Sequence, residues 1–238
     1  MLILGIESSS LTASVALLQD ERLLAEYTID YKKTHSQTLL PMIEEICKMT
    51  ETSPQQIDAI AVSAGPGSFT GLRIGSATAK GLGLALKKPL ISVPTVEAMA
   101  YQCYGSRRLI CPIMDARRSQ VYTGLYAYSE ELEFSVLMEQ IPMGIEELME
   151  VLNQKGQPVL FLGDGVPPYE RIIRELAQIP ISFAPSFQAR QRGAAVAALG
   201  MEYYKLGRYE SAADHRPDYL RQSSAERELA QKQSREQA

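Results

Sequence analysis

Histidine and cysteine are scarce in this 238-residue chain, and that scarcity excludes several kinds of site. The only histidines are His35 and His215, so no His-x-x-x-His motif is present. The three cysteines, Cys47, Cys103 and Cys111, are odd in number and form no Cys-x-x-Cys pair. Metal sites and disulfide frameworks draw on these residues at such spacings. The sequence therefore favours neither a transition-metal site nor a disulfide framework.

The chain also lacks the marks of secreted, membrane-spanning and nucleic-acid-binding proteins. Met1 leads into an apolar segment without a basic leader, and no apolar run approaches a membrane span in length. A net charge of −4 argues against a free-standing nucleic-acid binder. The sequence contains no Gly-x-Ser-x-Gly motif, so nothing in it points to a serine hydrolase of the nucleophile-elbow type. We expect a cytoplasmic globular protein, since 45% of the residues are hydrophobic.

What the chain does have is an order of predicted elements that occurs twice. In each copy three strands are followed by a helix, a strand, a helix, a short strand and a further helix. The first copy has strands near 2–7, 13–18, 22–29, 57–63 and 90–93, and helices near 36–50, 71–86 and 94–104. The second has strands near 109–114, 119–127, 132–139, 158–162 and 181–184, and helices near 144–154, 166–177 and 189–206.

This repetition predicts an α/β protein with a duplicated ribonuclease-H-like fold, the layout of actin and sugar kinases. Sequential strands make an antiparallel meander and helical crossovers add parallel strands, so each lobe holds a mixed sheet with flanking helices. The lobes are expected at 1–104 and 105–221, with the helix at 189–206 packing back on the first lobe. The polar segment at 222–238 holds one large aliphatic residue and is expected to be disordered.

The segment at 64–86, AGPGSFTGLRIGSATAKGLGLAL, places small residues at helical spacing. Two stripes result: Gly71, Gly75, Ala79 and Gly83 on one face, and Ala77, Gly81 and Ala85 on another. Each glycine inside a helix costs about 1 kcal/mol relative to alanine, so a close neighbour must offset the cost. We expect that neighbour to be a partner helix on the first stripe, and the alternative is this chain's own sheet. A phosphate loop is disfavoured, because the glycine spacing matches neither the dinucleotide nor the Walker motif.

Three turns stand where actin-like ATPases hold a nucleotide. The turn at 7–12 and the turn at 115–118 contain no glycine, so each Cβ restricts the approach of a phosphate to the backbone. Arg117 and Arg118 in the second turn either bind a substrate anion or pair with acidic neighbours. Only Gly163-Asp164-Gly165 keeps a glycine-rich form. ATP hydrolysis by this chain alone is therefore not expected.

Motifs along nearly the whole chain resemble the TsaB (YeaZ) family. They are LGIESSSLTASVALL, THSQTLLPMIEEI, IDAIAVSAGPGSFTGLRIGSATAKGLGLAL, the DAR before QVYTGLY, the GDG and PDYLR. The family resemblance implies a subunit of the bacterial complex that makes N6-threonylcarbamoyladenosine at tRNA position 37. It also implies a paralogue of the catalytic subunit TsaD. Glu7 departs from the aspartate more common in the family.

Comparison with TsaD implies that this chain is not catalytic. Thr95 and Met99 stand where TsaD carries the two histidines of its metal site, and a hydroxyl and a thioether replace imidazole poorly. Glu97, between them, cannot hold a metal alone. No cofactor is expected on this chain alone, and ATP and metal are left to the partner subunits.

The resemblance also implies partners and an interface. The expected partners are TsaD and TsaE, a second copy of this chain when TsaD is absent, and tRNA only through the complex; no membrane is involved. The expected interface residues are Leu39, Met42, Ile43, Ile46, Gly71, Gly75, Thr78, Ala79, Leu82 and Gly83. The alternative function, an actin-like ATP-dependent small-molecule kinase, rests on the duplicated fold and the glycine turns alone.

Overall fold

The computed structural model describes residues 1–220, so the polar segment predicted at 222–238 lies outside the described residues. The strands are β1 (Leu2–Glu7), β2 (Thr12–Gln19), β3 (Arg22–Asp30), β4 (Ala59–Gly65), β5 (Leu90–Pro94), β6 (Leu109–Asp115), β7 (Gln120–Tyr128), β8 (Phe134–Gly144), β9 (Val159–Leu162) and β10 (Ile181–Phe183). The helices are α1 (His35–Met49), α2 (Phe69–Leu86), α3 (Thr95–Tyr101), α4 (Ile145–Lys155), α5 (Val166–Leu176) and α6 (Gly193–Lys205). Across residues 1–220 no helix is both long and apolar enough to span a membrane.

The first lobe is built on a five-stranded mixed sheet in the order β3-β2-β1-β4-β5. β1, β2 and β3 form an antiparallel meander, in which Leu4 pairs with Leu17. β4 and β5 then join in parallel, after the crossovers made by α1 and α2. All six residues of β1 are buried, because β1 is central in the sheet and helices cover both of its faces.

The second lobe repeats this topology in a sheet of order β10-β9-β6-β7-β8. β6 pairs antiparallel with β7 and parallel with β9, as β1 does with β2 and β4. The duplicated ribonuclease-H-like α/β fold predicted from the sequence is therefore confirmed by the strand order itself. The predicted boundaries are wrong by a few residues at several ends: β8 extends to Gly144, α3 ends at Tyr101, and α6 begins only at Gly193.

Helices cover both faces of the first sheet. On one face α1 contributes Leu39 and Ile46 to a core that also contains Ile6 and Val62. On the other face α6 packs against the strands that contain Ile3 and Ala61. The last helix among residues 1–220 therefore covers the first lobe rather than the second.

The first small-residue stripe of α2 packs against its own chain. A Cβ on Gly71 would meet the backbone carbonyl oxygen of Ser8, and a Cβ on Gly75 would meet the Ser8 hydroxyl. That hydroxyl donates a hydrogen bond of 2.9 Å to the carbonyl oxygen of Gly71. One turn from the helix end, Gly83 makes room for the side chain of Leu90. The glycines thus bring α2 close to the turn that follows β1.

This packing corrects the expected interface. Eight of the ten residues assigned to a partner surface are buried within this lobe. They are Leu39, Met42, Ile43, Ile46, Gly71, Gly75, Ala79 and Gly83. Only Thr78 and Leu82 remain half-buried. Helical spacing correctly grouped these residues on one face of α1 and one face of α2. It carries no information on whether the chain's own sheet or another protein covers that face.

A C-terminal strap, residues 207–220, closes the first lobe behind α2. Glu210 forms a two-bond antiparallel bridge with Leu90 at the edge of the sheet, with both distances 2.9 Å. Lys80 of α2 donates to two strap carbonyl oxygens at 2.9 and 3.0 Å. Near the strap's end the ring of Tyr219 lies 4.6 Å from that of Phe69, the first residue of α2. The strap thus holds α2 at both ends.

Two glycine substitutions in α2 test this packing. We expect Gly71→Ala to lower the free energy of unfolding by about 1–3 kcal/mol, because the new methyl group overpacks against the Ser8 backbone. The matched change Gly81→Ala should raise it by up to about 1 kcal/mol, because a Cβ there meets nothing within 4 Å. Urea denaturation of both variants measures the difference. Equal effects at the two sites would contradict the packing described here.

Candidate functional site

A cleft of about 720 Å³ lies between the two lobes. Its walls come from the turn after β1, the start of α1, the N-terminus of α2, and the second-lobe turns that contain Asp115 and Asp164. His35 lines it and its Nε2 donates to the Ser10 carbonyl oxygen at 2.7 Å. In the described part of the chain the His35 Nδ1 has no hydrogen-bond partner. In a duplicated fold of this kind, this is the place to look for a nucleotide.

The first turn uses its polar groups on itself. The Ser9 N–H and the Ser9 hydroxyl both donate to Glu7 Oε1 at 2.6 Å. The Thr12 N–H donates to Ser10 Oγ at 3.2 Å. The Ser9 carbonyl oxygen accepts from the Ser68 N–H at 2.6 Å, which joins this turn to the entry of α2. These backbone N–H groups therefore do not point toward a ligand phosphate.

The glycine-rich entry of α2 is likewise occupied by the protein. A Cβ on Gly67 would meet the Ser9 carbonyl oxygen, so this glycine admits protein backbone. The Ser68 hydroxyl accepts from the Gly71 N–H at 3.3 Å and caps the helix. This geometry supports a tight turn entering a packed helix rather than a phosphate loop.

The second turn, at residues 115–119, contains two exposed arginines, of which Arg117 lines the cleft. Arg117, Arg118 and Ser119 have φ values of 65°, 57° and 57°. Each non-glycine residue in this left-handed region costs roughly 1 kcal/mol or more. Asp115 stabilises the turn, since its Oδ1 accepts from the Arg117 N–H at 2.9 Å and from the Tyr169 hydroxyl at 3.1 Å. The Arg117–Asp115 ion pair is long, 3.6 Å, and the Arg117 side chain is 87% exposed.

The third turn, with Asp164, connects the lobes. The Ser10 hydroxyl donates to Gln191 Oε1 at 3.1 Å, and Gln191 Nε2 donates to Asp164 Oδ1 at 3.4 Å. Gln191 is 1% exposed, so this bridge is shielded from water. Burial raises the pKa of Asp164 above its ordinary value. Both lobes are thus tied together across the base of the cleft.

The positions that correspond to metal ligands in TsaD are packed. Thr95 is completely buried. The Met99 methyl group lies against Gly163, since a Cβ added to that glycine would be only 2.8 Å from the methyl carbon. Burial raises the pKa of Glu97, which is 8% exposed. Among residues 1–220 no three His, Cys, Asp or Glu side chains are grouped as a metal site. Met99 thus fills space beside the glycine turn.

Ser92, His215 and Glu210 form a cluster that sequence patterning missed, because they are far apart in the chain. Ser92 Oγ donates to Glu210 Oε1 at 2.6 Å, and His215 Nδ1 lies 2.9 Å from that oxygen and 3.0 Å from Ser92 Oγ. A catalytic triad needs serine and acid on opposite imidazole nitrogens. Here both contact Nδ1, while Nε2 is buried without a partner in the described part. The cluster fastens the strap to β5.

A second concave surface lies on the outer side of the first lobe. It is an apolar groove of about 600 Å³ between α1 and α2, lined in part by Leu40, Ile43, Leu82 and Leu86. Leu40 is 54% exposed, and the neighbouring Leu84 of α2 is 60% exposed. Large apolar side chains grouped on a surface indicate contact with another protein.

The buried carboxyl group of Glu7 predicts a pH-dependent stability. Burial raises its pKa to about 7, against the opposing hydrogen bonds from Ser9. In the unfolded chain this carboxyl ionises near its ordinary pKa of 4.5, so the folded state loses stability as the pH rises from about 4.5 to about 7. Glu7→Gln should therefore stabilise the protein by about 1–3 kcal/mol at about pH 8, with little effect at about pH 4.5.

Urea denaturation at both pH values measures this effect, with Glu150→Gln, an exposed carboxylate on α4, as the control. A Glu7→Gln effect of equal size at both pH values would show that ionisation of this buried group is not the cause.

Comparison with known proteins gives concordant matches. A family model described as "TsaD: tRNA N6-adenosine threonylcarbamoyltransferase" matches residues 22–229. The "tRNA threonylcarbamoyladenosine biosynthesis protein TsaB" of Bacillus subtilis is 37% identical over 229 residues, covering 95% of this chain and 96% of that protein. The Escherichia coli protein of the same name is 38% identical over 133 residues, covering 55% of this chain and 57% of that protein.

A solved structure described as "YeaZ from Pseudomonas aeruginosa" has the same architecture. It aligns with a TM-score of 0.79 at 25% identity, over 92% of this chain and 99% of that chain. Sequence and structure therefore agree over nearly the full length of the Bacillus subtilis and Pseudomonas aeruginosa proteins. The chain belongs to the TsaB (YeaZ) family.

Proposed function

We propose that this chain acts in the synthesis of threonylcarbamoyladenosine in tRNA, as a non-catalytic subunit that binds and supports a TsaD-type transferase at adenosine 37. The names of the full-length relatives support the pathway, and the transferase family model supports descent from a common ancestor with TsaD. The resemblance assigns TsaE and tRNA to the assembled complex rather than to this chain alone.

The observation that carries the proposal is the exposed face of α2. Ala77, Gly81 and Ala85 lie in water, and a Cβ on Gly81 would meet nothing within 4 Å. Glycine there weakens the helix by about 1 kcal/mol without serving the chain's own packing. A stripe of such small side chains lets the backbone of a second helix approach closely. The partner helix therefore belongs on this second stripe, not on the first.

The surface around the stripe has the composition of a protein interface. Thr78 and Leu82 are half-buried on its flank, and the apolar groove between α1 and α2 begins beside them. Leu40 and Leu84 add exposed aliphatic surface on either side. A helix pair from TsaD, or from a second copy of this chain when TsaD is absent, would bury these side chains.

The geometry of the cleft supports assigning the chemistry to the partner. The Ser9 and Thr12 N–H groups of the first turn are bonded within the chain, and Met99 occupies space beside Gly163 where TsaD has a metal ligand. ATP and metal would accordingly be held by the other subunits. The alternative of an actin-like small-molecule kinase has weaker support, because the glycine-rich entry of α2 receives protein backbone in place of phosphate.

Gly81→Arg tests the interface. Because this position is open, the monomer should fold and melt as the parent does, while affinity for TsaD falls at least about tenfold, equivalent to about 1.4 kcal/mol. Gln154→Arg, an exposed position on α4, adds the same charge and should leave binding unchanged. Calorimetric titration with TsaD and size-exclusion chromatography measure both. Unimpaired binding by Gly81→Arg would remove α2 from the interface.

Reconstitution tests the division of labour. We expect no modified tRNA when this chain is the sole protein with threonylcarbamoyl-adenylate, ATP and tRNA, since the proposed catalytic groups belong to TsaD. Adding TsaD and TsaE should yield product, detected as threonylcarbamoyladenosine by mass spectrometry of digested tRNA. Product formed by this chain alone, or equal product when it is omitted from the mixture, would refute the proposal.

A further inference from the structure

The arginine turn at residues 115–119 takes no part in the proposed contact with TsaD. It borders the cleft through Arg117, on the second lobe, whereas Ala77, Gly81 and Ala85 of the exposed α2 stripe do not line that cleft. Its two arginines are exposed and its backbone is held in a conformation that favours glycine or asparagine. Packing does not account for arginine here, because neither side chain is buried.

The turn has the donors of an anion site. The N–H groups of Arg118 and Ser119 have no partner among residues 1–220, and neither has the Arg118 guanidinium. Successive unpaired N–H groups in a turn with left-handed φ values form a concavity that holds anions. Asp115 stabilises the turn, because its Oδ1 accepts hydrogen bonds from the Arg117 N–H and from the Tyr169 hydroxyl.

A further cation and an aromatic ring line the same cleft. Lys33, at the entry of α1, lines the cleft from the first lobe as Arg117 does from the second. The guanidinium of Arg73 lies 3.9 Å from the centre of the Phe69 ring, and Phe69 also lines the cleft. Arginine, lysine and aromatic side chains arranged around one opening suit a nucleic-acid strand, whose phosphates and bases they contact.

Charge inside the cleft directs such a ligand to the rim. Asp115 and Asp164 line the cleft and are half-buried, so a phosphate deep in the cleft would meet carboxylates. A phosphodiester backbone passing across the mouth would instead meet Lys33 and Arg117, with Arg118 next to Arg117 in the same exposed turn. The chain's net charge of −4 makes any such contact local and modest in strength.

We infer that the turn at residues 115–119 binds a backbone phosphate of RNA, with Arg118 as its main side-chain contact, and so contributes to holding tRNA in the assembled complex. The inference rests on the proposed function for the identity of the RNA. It gives the arginine turn a role separate from catalysis and from the contact with TsaD.

Arg118→Asn is the informative variant. Asparagine tolerates the left-handed conformation better than arginine, so the variant should melt at the same temperature as the parent or higher. In the complex with TsaD and TsaE, affinity for a tRNA transcript should fall about fivefold at about 0.15 M salt, and the log–log salt slope should shrink by about 0.7–0.9. Arg118→Lys should retain most of the affinity.

Arg171→Gln on α5 is the matched control, because it removes one charge from an 88% exposed side chain of the same lobe. Fluorescence anisotropy at several salt concentrations gives affinity and slope, and size-exclusion chromatography reads assembly with TsaD separately. Unchanged tRNA affinity and slope in Arg118→Asn would overturn the inference, and so would a loss of assembly in that variant. If the parent chain does not assemble with TsaD and TsaE, the proposed function fails. In that case the tRNA anisotropy titrations are done at low salt on the parent chain and on Arg118→Asn alone, and equal affinities overturn the inference.

Discussion

Contact between α2 and the turn after β1 organises the first lobe. The Ser8 hydroxyl donates to the carbonyl oxygen of Gly71, and Gly71 and Gly75 admit the backbone and side chain of Ser8 where any Cβ would collide. Close-packed interiors tolerate little added volume, so this approach depends on glycine at both positions. It sets the position of α2 relative to the central strand, and α1 packs beside it on the same face of the sheet.

The same contact determines what the cleft can do. In the turn that lies against α2, the Ser9 N–H bonds to the Glu7 carboxylate and the Thr12 N–H bonds to the Ser10 hydroxyl, so neither donor is free for a ligand phosphate. The bridge through Gln191 then joins this turn to Asp164 across the cleft. The two lobes are thus joined by protein hydrogen bonds across the cleft. The free surfaces, the outer face of α2 and the arginine turn, are where binding is proposed.

Much of the fold followed from the sequence. Within residues 1–220, apolar runs and helical spacing predicted each strand and α-helix to within about five residues, and their repeated order predicted the duplicated topology. Burial of β1 and β6 makes their runs continuously hydrophobic, which is a strong local signal. The exact ends were harder: α3 ends at Tyr101 and α6 begins at Gly193, three to four residues inside the predicted bounds.

By itself the sequence determined the fold class, the family, and the two small-residue stripes of α2, because periodicity and composition are local properties of the chain. Only the tertiary structure decided which stripe is buried, since both have the same residue types and differ solely in what lies across from them. It also decided that Ser92, His215 and Glu210 meet as a fastening rather than a triad. Distances between segments far apart in the chain are set by packing, and no local pattern encodes them.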